Sequence, residues 1–253
     1  MIGLLDTLSR DPHTYSSSSP VMLEVGPTEA VPVGVALMTP PYNLILSQMS
    51  TDDLQALAEF VVEERIPVPG VLAPVHTAKK FATLYSQRTG VNPRTKMEER
   101  IYQLSRVVSP PPPPGNLRKA EPNDLTVLSQ WGRDFAVDAR LSEHDASQAP
   151  ARIHRLIEKQ QLFVWEHEGE KVSMAACQGP TPNGIRVGYV FTPRHLRRKG
   201  YGMAVTASLS QHLLDQGRQF CFLFTDLSNP TSNSIYQKVG YEPVCDFHMI
   251  VWN

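Results

Sequence analysis

Several things are scarce in this sequence, and each shortage closes a class of function. No excess of one charge is present: 24 Lys and Arg stand against 25 Asp and Glu. Without a broad basic field, neither a nucleic acid nor an anionic membrane is the expected main partner. No apolar run approaches the ~20 residues that a spanning helix requires. The first residues, Met1 to Pro20, lack the basic start, long apolar middle and small-residue cleavage site of a secretory signal. They read as a flexible lead-in, with Ser16 to Ser19 too polar to pack. Cysteine is rare and odd in number: Cys177, Cys221 and Cys245 form no CxxC pair. All three fall in strand-like stretches, which predicts buried, reduced thiols in a cytoplasmic protein. The histidines show no HxxxH spacing and no cluster with cysteine, so no metal is expected.

Proline, by contrast, is plentiful, and it divides the chain. Pro110 to Pro114 are five in succession, a run that stops helices and central strands and favours polyproline II. The stretch 109–115 reads as a linker, with a proline-rich ligand for a partner as the alternative. The expected layout is a lead-in at 1–20, an α/β domain at 21–108 and a second domain at 116–253.

The first domain opens on a hairpin, "VMLEVG" and "PVGVALMTPP", followed by the apolar run "YNLILSQ". "STDDLQALAEFVVEERI" is a helix with a Ser50 or Thr51 cap, acids in its first turn, and Leu54, Leu57, Ala58 and Val61 at helical spacing. "TAKKFATLYSQRTG" is a second helix stopped by Gly90, and "RIYQLSRVV" a closing strand. No catalytic constellation is visible here.

The second domain reads as strand, two helices, three strands, helix, strand, helix and closing strand. Asn123 is the expected cap of its first helix, and "APARIHRLIEKQ" the second. Glu168-Gly169 and Asn183-Gly184 mark two hairpin turns. A helix with Val205, Leu209 and Leu213 on one face follows Gly200 and ends at Gly217. Trp131, Trp165 and Trp252 read as core or sheet-edge residues.

Two stretches carry chemistry. In "FTPRHLRRKGYGMAV" a strand runs through Arg197, Arg198 and Lys199 into Gly200-Tyr201-Gly202 and then a helix. A helix N-terminus offers unpaired N–H groups and the positive end of its dipole, and glycine lets a backbone approach a phosphate closely. Neither a Walker loop nor a GxGxxG fingerprint is present. In "FLFTDLSNPTSNSIYQKVGY" a strand leads to Asn229, then Tyr236 seven residues later, then Gly240-Tyr241.

Together, R-x-x-G-x-G and N-x(6)-Y…G-Y, in this order, resemble the two signatures of the GNAT superfamily of N-acetyltransferases. The resemblance covers about 116–253. It implies an α/β (α+β) fold with a mixed, mostly antiparallel sheet flanked by helices, preceded by a smaller α/β domain related to it. It implies acetyl-CoA as acyl donor, bound by Arg197, Arg198, Lys199, Gly200, Tyr201 and Gly202 at the diphosphate. Main-chain donors at Val190, Phe191 and Thr192 would face the thioester carbonyl, and Asn229 the pantetheine arm, with Asn233 a lesser candidate. Tyr236 would protonate the leaving thiolate. The amine's base is not named; Asp226 could serve, or could cap the loop or the next helix, and His195 is a weaker candidate. Many relatives have glycine directly after the arginine, where this chain has Arg198, which puts the loop's detailed geometry in question.

The implied reaction is acetyl transfer to a primary amine by direct attack in a ternary complex. The acceptor would be an amine-bearing small molecule or peptide, the protein a monomer or homodimer. An acetyl-CoA-binding regulatory module with little turnover is the alternative, and a different acyl donor a third possibility.

Overall fold

A computed structural model describes residues 2–14, 18–26, 31–108 and 111–252. Part of the serine run (16–17), most of the first hairpin's loop (27–30) and the start of the proline stretch (109–110) lie outside the described residues. Helix α1 (Ile2–Arg10) stands where a flexible lead-in was expected, and Leu8 is buried. Strands β1 (Val21–Val25) and β2 (Gly34–Met38) form the anticipated antiparallel hairpin, and β3 (Leu44–Leu46) adds to β2. Helix α2 (Thr51–Glu63) starts in a capping box: the Asp53 N–H donates to Ser50 Oγ and the Ser50 N–H to the Asp53 carboxylate. Its four periodic apolar residues are all buried. Strand β4 (Gly70–Pro74), which sequence reading passed over, runs straight into α3 (Val75–Thr89). Gly90 ends α3 at φ +76°, and β5 (Pro93–Leu104) follows, longer than expected.

Strand β6 (Asn116–Lys119) leads to a short 3-10 turn, Pro122–Asp124, and α4 (Leu125–Asp138). Asn123 is therefore not the cap; Glu121 and Asp124 close a box around the turn instead. Helix α5 (Glu143–Glu158) starts well before the expected "APARIHRLIEKQ", because Ser142 and Asp145 form another capping box, and it carries Pro150 inside. Then come β7 (Leu162–His167), β8 (Glu170–Gln178), β9 (Gly184–Phe191), α6 (Tyr201–Asp215), β10 (Phe220–Asp226), α7 (Pro230–Val239) and β11 (Glu242–Trp252). Glu168 and Gly169, both at positive φ, make the β7–β8 turn.

Two compact units result. The first comprises Met1–Ile101, Asp226–Ser228 and Val244–Asn253; the second Tyr102–Thr225 and Asn229–Pro243. The split departs from the expected boundaries at both ends. Residues 244–252 fold with the N-terminal half because β11 pairs antiparallel with β4, from Phe247 opposite Pro74 to Val251 opposite Gly70. Trp252 completes the join, donating Nε1–H to Val68 O at 2.6 Å and stacking on Tyr85 at 5.0 Å. Strand order in this unit is β1-β2-β3-β4-β11-β5, over a core that includes Leu44, Leu54, Val71, Phe81 and Ile250.

In the second unit the order is β10-β9-β8-β7-β6. The pairs β6/β7, β7/β8 and β8/β9 are antiparallel and β9/β10 is parallel. Alternate residues of β7 feed two cores: Phe163 and Trp165 join one with Val187, Val205, Leu209 and Leu223, while Leu162 and Val164 join another with Leu128, Ile153 and Phe191. The proline stretch belongs here too. Trp165 Nε1–H donates to Pro114 O at 3.3 Å, and Pro113 lies within 3.6 Å of where a side chain on Gly200 would begin.

Candidate functional site

The site begins where two strands part. Strands β9 and β10 pair at Gly184/Phe220, Ile185/Cys221 and Arg186/Phe222, and no further. Beyond Arg186, the edge of β9 that faces away from β8 has no strand partner among the described residues. In the same stretch β9 is bulged. Ala176 faces Gly188 and Met174 faces Phe191, so three steps on β9 match two on β8. Tyr189 absorbs the extra residue at φ +51°. Side-chain alternation breaks there: Val187 and Val190 pack on the α6 side, Tyr189 and Phe191 on the α4 side. Ser173, fully buried on β8, pins the end of the bulged segment. Its Oγ donates to Phe191 O at 2.9 Å and lies 2.9 Å from Thr192 Oγ1.

From Thr192 the chain turns through Pro193–Lys199 into α6. Gly200 caps that helix in the left-handed region at φ +83°, without a side-chain cap. The first helical bond runs from Ala204 N–H to Gly200 O. Among the described residues, no main-chain amide from Arg198 to Met203 donates to a protein acceptor. Arg198 itself sits at φ +65°. A side chain in that conformation costs roughly 1 kcal/mol in backbone strain. Arg198 and Lys199 are exposed, and among the described residues neither has a carboxylate partner. Arg197 differs. It pairs with Asp138, donates Nε–H to Thr192 O at 3.0 Å and lies over the Phe191 ring, 5.8 Å from the centroid. Its guanidinium is turned back onto the loop rather than presented outward.

Helix α7 supplies the second cluster. Asn229 caps it: Oδ1 accepts the Ser232 N–H at 3.1 Å, and Pro230 takes the first helical position. The side-chain amide of Asn229 donates to no group among the described residues, so cap and ligand contact are compatible. Asn233 is fully engaged instead. Its Nδ2–H donates to Asn229 O at 2.7 Å, and its Oδ1 accepts from the buried Tyr102 hydroxyl at 3.2 Å. Tyr236 is buried in the cluster that contains Val187 and Leu223, edge-on to Tyr241 at 6.0 Å. Burial pushes its hydroxyl up to about 12, a rise that a hydrogen bond with Ser232 opposes. It therefore holds its proton at any physiological pH. Asp226 accepts the Ser228 N–H at 2.7 Å, the loop-capping role that its position allowed. His195 lies exposed in the turn.

Asp138, Arg194, Phe135, Tyr189 and Tyr102 were not singled out from sequence, yet all bear on this region. The one available sign was an acid at the end of a helix, where the dipole disfavours it. Desolvation raises the Asp138 carboxyl, but hydrogen bonds from Arg197 and Arg194 outweigh it and hold the group below the usual range.

No curated protein matches the chain in sequence. Residues 167–249 match a family described as FR47-like protein. Several solved structures share the whole architecture. A GCN5-related N-acetyltransferase from Kribbella flavida matches 100% of this chain and 95% of its own, at 13% identity and a TM-score of 0.62. Another, from Sphaerobacter thermophilus, matches 97% and 84% at 14% identity, with a TM-score of 0.63. A GNAT-family acetyltransferase from Colwellia psychrerythraea matches 91% and 84% at 16% identity, with a TM-score of 0.60. At such identities the likeness establishes architecture, and the FR47-like segment contains both the bulged strand and the helix-capping glycine. The chain thus has the fold of these structures, and residues 167–249 match the FR47-like family.

Proposed function

We propose that the protein is an acetyl-CoA-dependent N-acetyltransferase acting on a primary amine by direct attack in a ternary complex. One observation carries the reading: among the described residues, the amides from Arg198 to Met203 lack protein acceptors and lie beside Arg198 and Lys199, which lack carboxylate partners. Amides, glycine and cations together fit a diphosphate. A bound coenzyme thioester would supply the activated acetyl group. The chain's own residues then meet three demands. Main-chain N–H groups among Val190, Phe191 and Thr192, at the bulged end of β9 and just beyond it, donate to the carbonyl oxygen as negative charge develops there. The Asn229 side-chain amide is available to the pantetheine arm. Tyr236, protonated at neutral pH, delivers a proton to the departing sulfur as the C–S bond breaks, and the proton that the attacking amine sheds passes to water, from which the tyrosine is restored. Cys177 and Cys221 are poor acyl carriers, because burial pushes their thiols up to about 11 and about 12, whereas Cys245, expected to be buried, is exposed on β11.

Calorimetry with acetyl-CoA, longer acyl-CoAs and CoA, followed by a panel of amines, tests the reading. Micromolar binding of acetyl-CoA and turnover with at least one amine are expected. For Tyr236→Phe, turnover falls about 100-fold while acetyl-CoA affinity stays near wild type. Binding without turnover on any amine would favour a regulatory module, and absence of binding would remove the coenzyme assignment.

A further inference from the structure

Helix α4 carries a stripe that follows the candidate site step by step. Trp131, Phe135 and Asp138 are spaced i, i+4 and i+7, which puts them on one face. Trp131 packs on Phe191, centroids 6.1 Å apart. Phe135 stacks on Tyr189, the strained residue of the bulge, at 4.9 Å and 26°. Asp138 takes Arg194 on Oδ1 at 3.0 Å and Arg197 on Oδ2. The stripe thus touches the bulged strand with its middle and the loop before α6 with its end, over roughly 10 Å of helix.

A carboxylate on the last residue of a helix meets the negative end of the dipole, which disfavours it unless cations offset the field. Here two guanidinium groups do so, and both come from the loop. Arg197 is held from three sides, by Asp138, by Thr192 O and by the Phe191 ring. It acts as a staple that folds the loop back, leaving the amides beyond it to face outward.

We propose that Phe135 and Asp138 are positioning residues, and that the last turn of α4 fixes the spacing between the carbonyl-binding edge of β9 and the anion-binding turn at Gly200. Neither touches the coenzyme. Phe135 acts through Tyr189 on the main chain of β9, and Asp138 acts through Arg197 on the loop. The inference rests on the acetyl-CoA reading above and adds two residues that no sequence signature marks.

The two residues have separable effects, which gives the test. Asp138→Asn raises the Kd for both acetyl-CoA and CoA about five-fold, with kcat at saturating acetyl-CoA retained. Arg197→Gln produces the same loss, and the double variant is no worse than the poorer single one, because the two act as one unit. Asp138→Glu recovers most of the affinity. Phe135→Ala lowers kcat about ten-fold with CoA affinity within about twofold of wild type, and Phe135→Tyr restores it. Melting temperatures accompany each variant; if Phe135→Ala does not fold, the comparison of Phe135→Tyr with Phe135→Leu replaces it. Unchanged or tighter coenzyme binding by Asp138→Asn, additive losses in the double variant, or parallel changes of kcat and Kd in Phe135→Ala would overturn the inference. Failure of the wild type to bind any acyl-CoA is a different result, and it removes the acetyl-CoA reading itself.

Discussion

The two units each contain a strand that feeds a helix, and the two junctions are built differently. In the first unit β4 ends at Pro74 and α3 begins at the next residue, Val75. There is no intervening loop, Pro74 offers no side-chain cap, and Thr77 and Ala78 in the first turn are fully packed. In the second unit, Thr192 to Gly200 separate β9 from α6, and the helix opens on a left-handed glycine with exposed Arg198 and Lys199 before it. Both junctions place a helix N-terminus at the end of a strand. The second differs in its left-handed glycine and in the exposed Arg198 and Lys199 directly before the helix. A helix dipole alone is not a binding site; on the reading proposed above, the glycine and the adjacent cations make the second junction one.

Substitutions at the second junction test how much of that difference each residue carries. The largest effect is expected from Gly200→Val. A β-branched side chain at φ +83° is strained, and the new Cβ would come within 3.6 Å of Pro113. Acetyl-CoA affinity should fall about 30-fold or more, the equivalent of the ~2 kcal/mol that such strain costs when it displaces the loop. Calorimetry together with an unchanged circular dichroism spectrum checks it. Lys199→Gln removes one unpaired cation without touching the backbone. A loss of about five-fold is expected, with a shallower dependence of affinity on salt, read from titrations at two ionic strengths. If neither salt slope nor affinity changes, the cations at this turn are solvated surface, and the contrast between the junctions reduces to glycine. The smallest effect belongs to Arg198→Gly. Relief of the left-handed strain should raise the melting temperature by about 2 °C, while loss of the charge modestly weakens coenzyme binding. An unchanged or lower melting temperature would show that Arg198 is not strained.

Much of this site is legible in local signals. Asn229-Pro230 and Gly240 bracket α7 as cap, first-turn proline and left-handed stop, and each works through the nearest backbone alone. The turn at Gly200 is visible for the same reason. What sequence does not reveal depends on distant partners. Strand β4 lies between Pro69 and Pro74 and reads as loop, yet it sits between β3 and β11, the latter from the far end of the sequence. Pro150 hides the first half of α5, although the Ser142–Asp145 box marks its true start. The bulge at Tyr189 has no local cause, since a tyrosine at positive φ is dictated by its neighbours on β8 and α4. Asn233, by its spacing from Asn229, looked free to face a ligand. Its amide is instead engaged by Tyr102, a residue 131 positions away in sequence.

The pairing of β11 with β4 has a bearing on how the chain is made. Until residues 247–251 have been synthesised, Gly70 to Pro74 present an apolar strand with one side unmatched. The N-terminal half therefore waits for residues 247–251 to emerge before its sheet is complete, a reversal of the usual order in which early segments finish first. Any cut placed at the proline stretch to free that half as a separate piece would strand it without its own central strand.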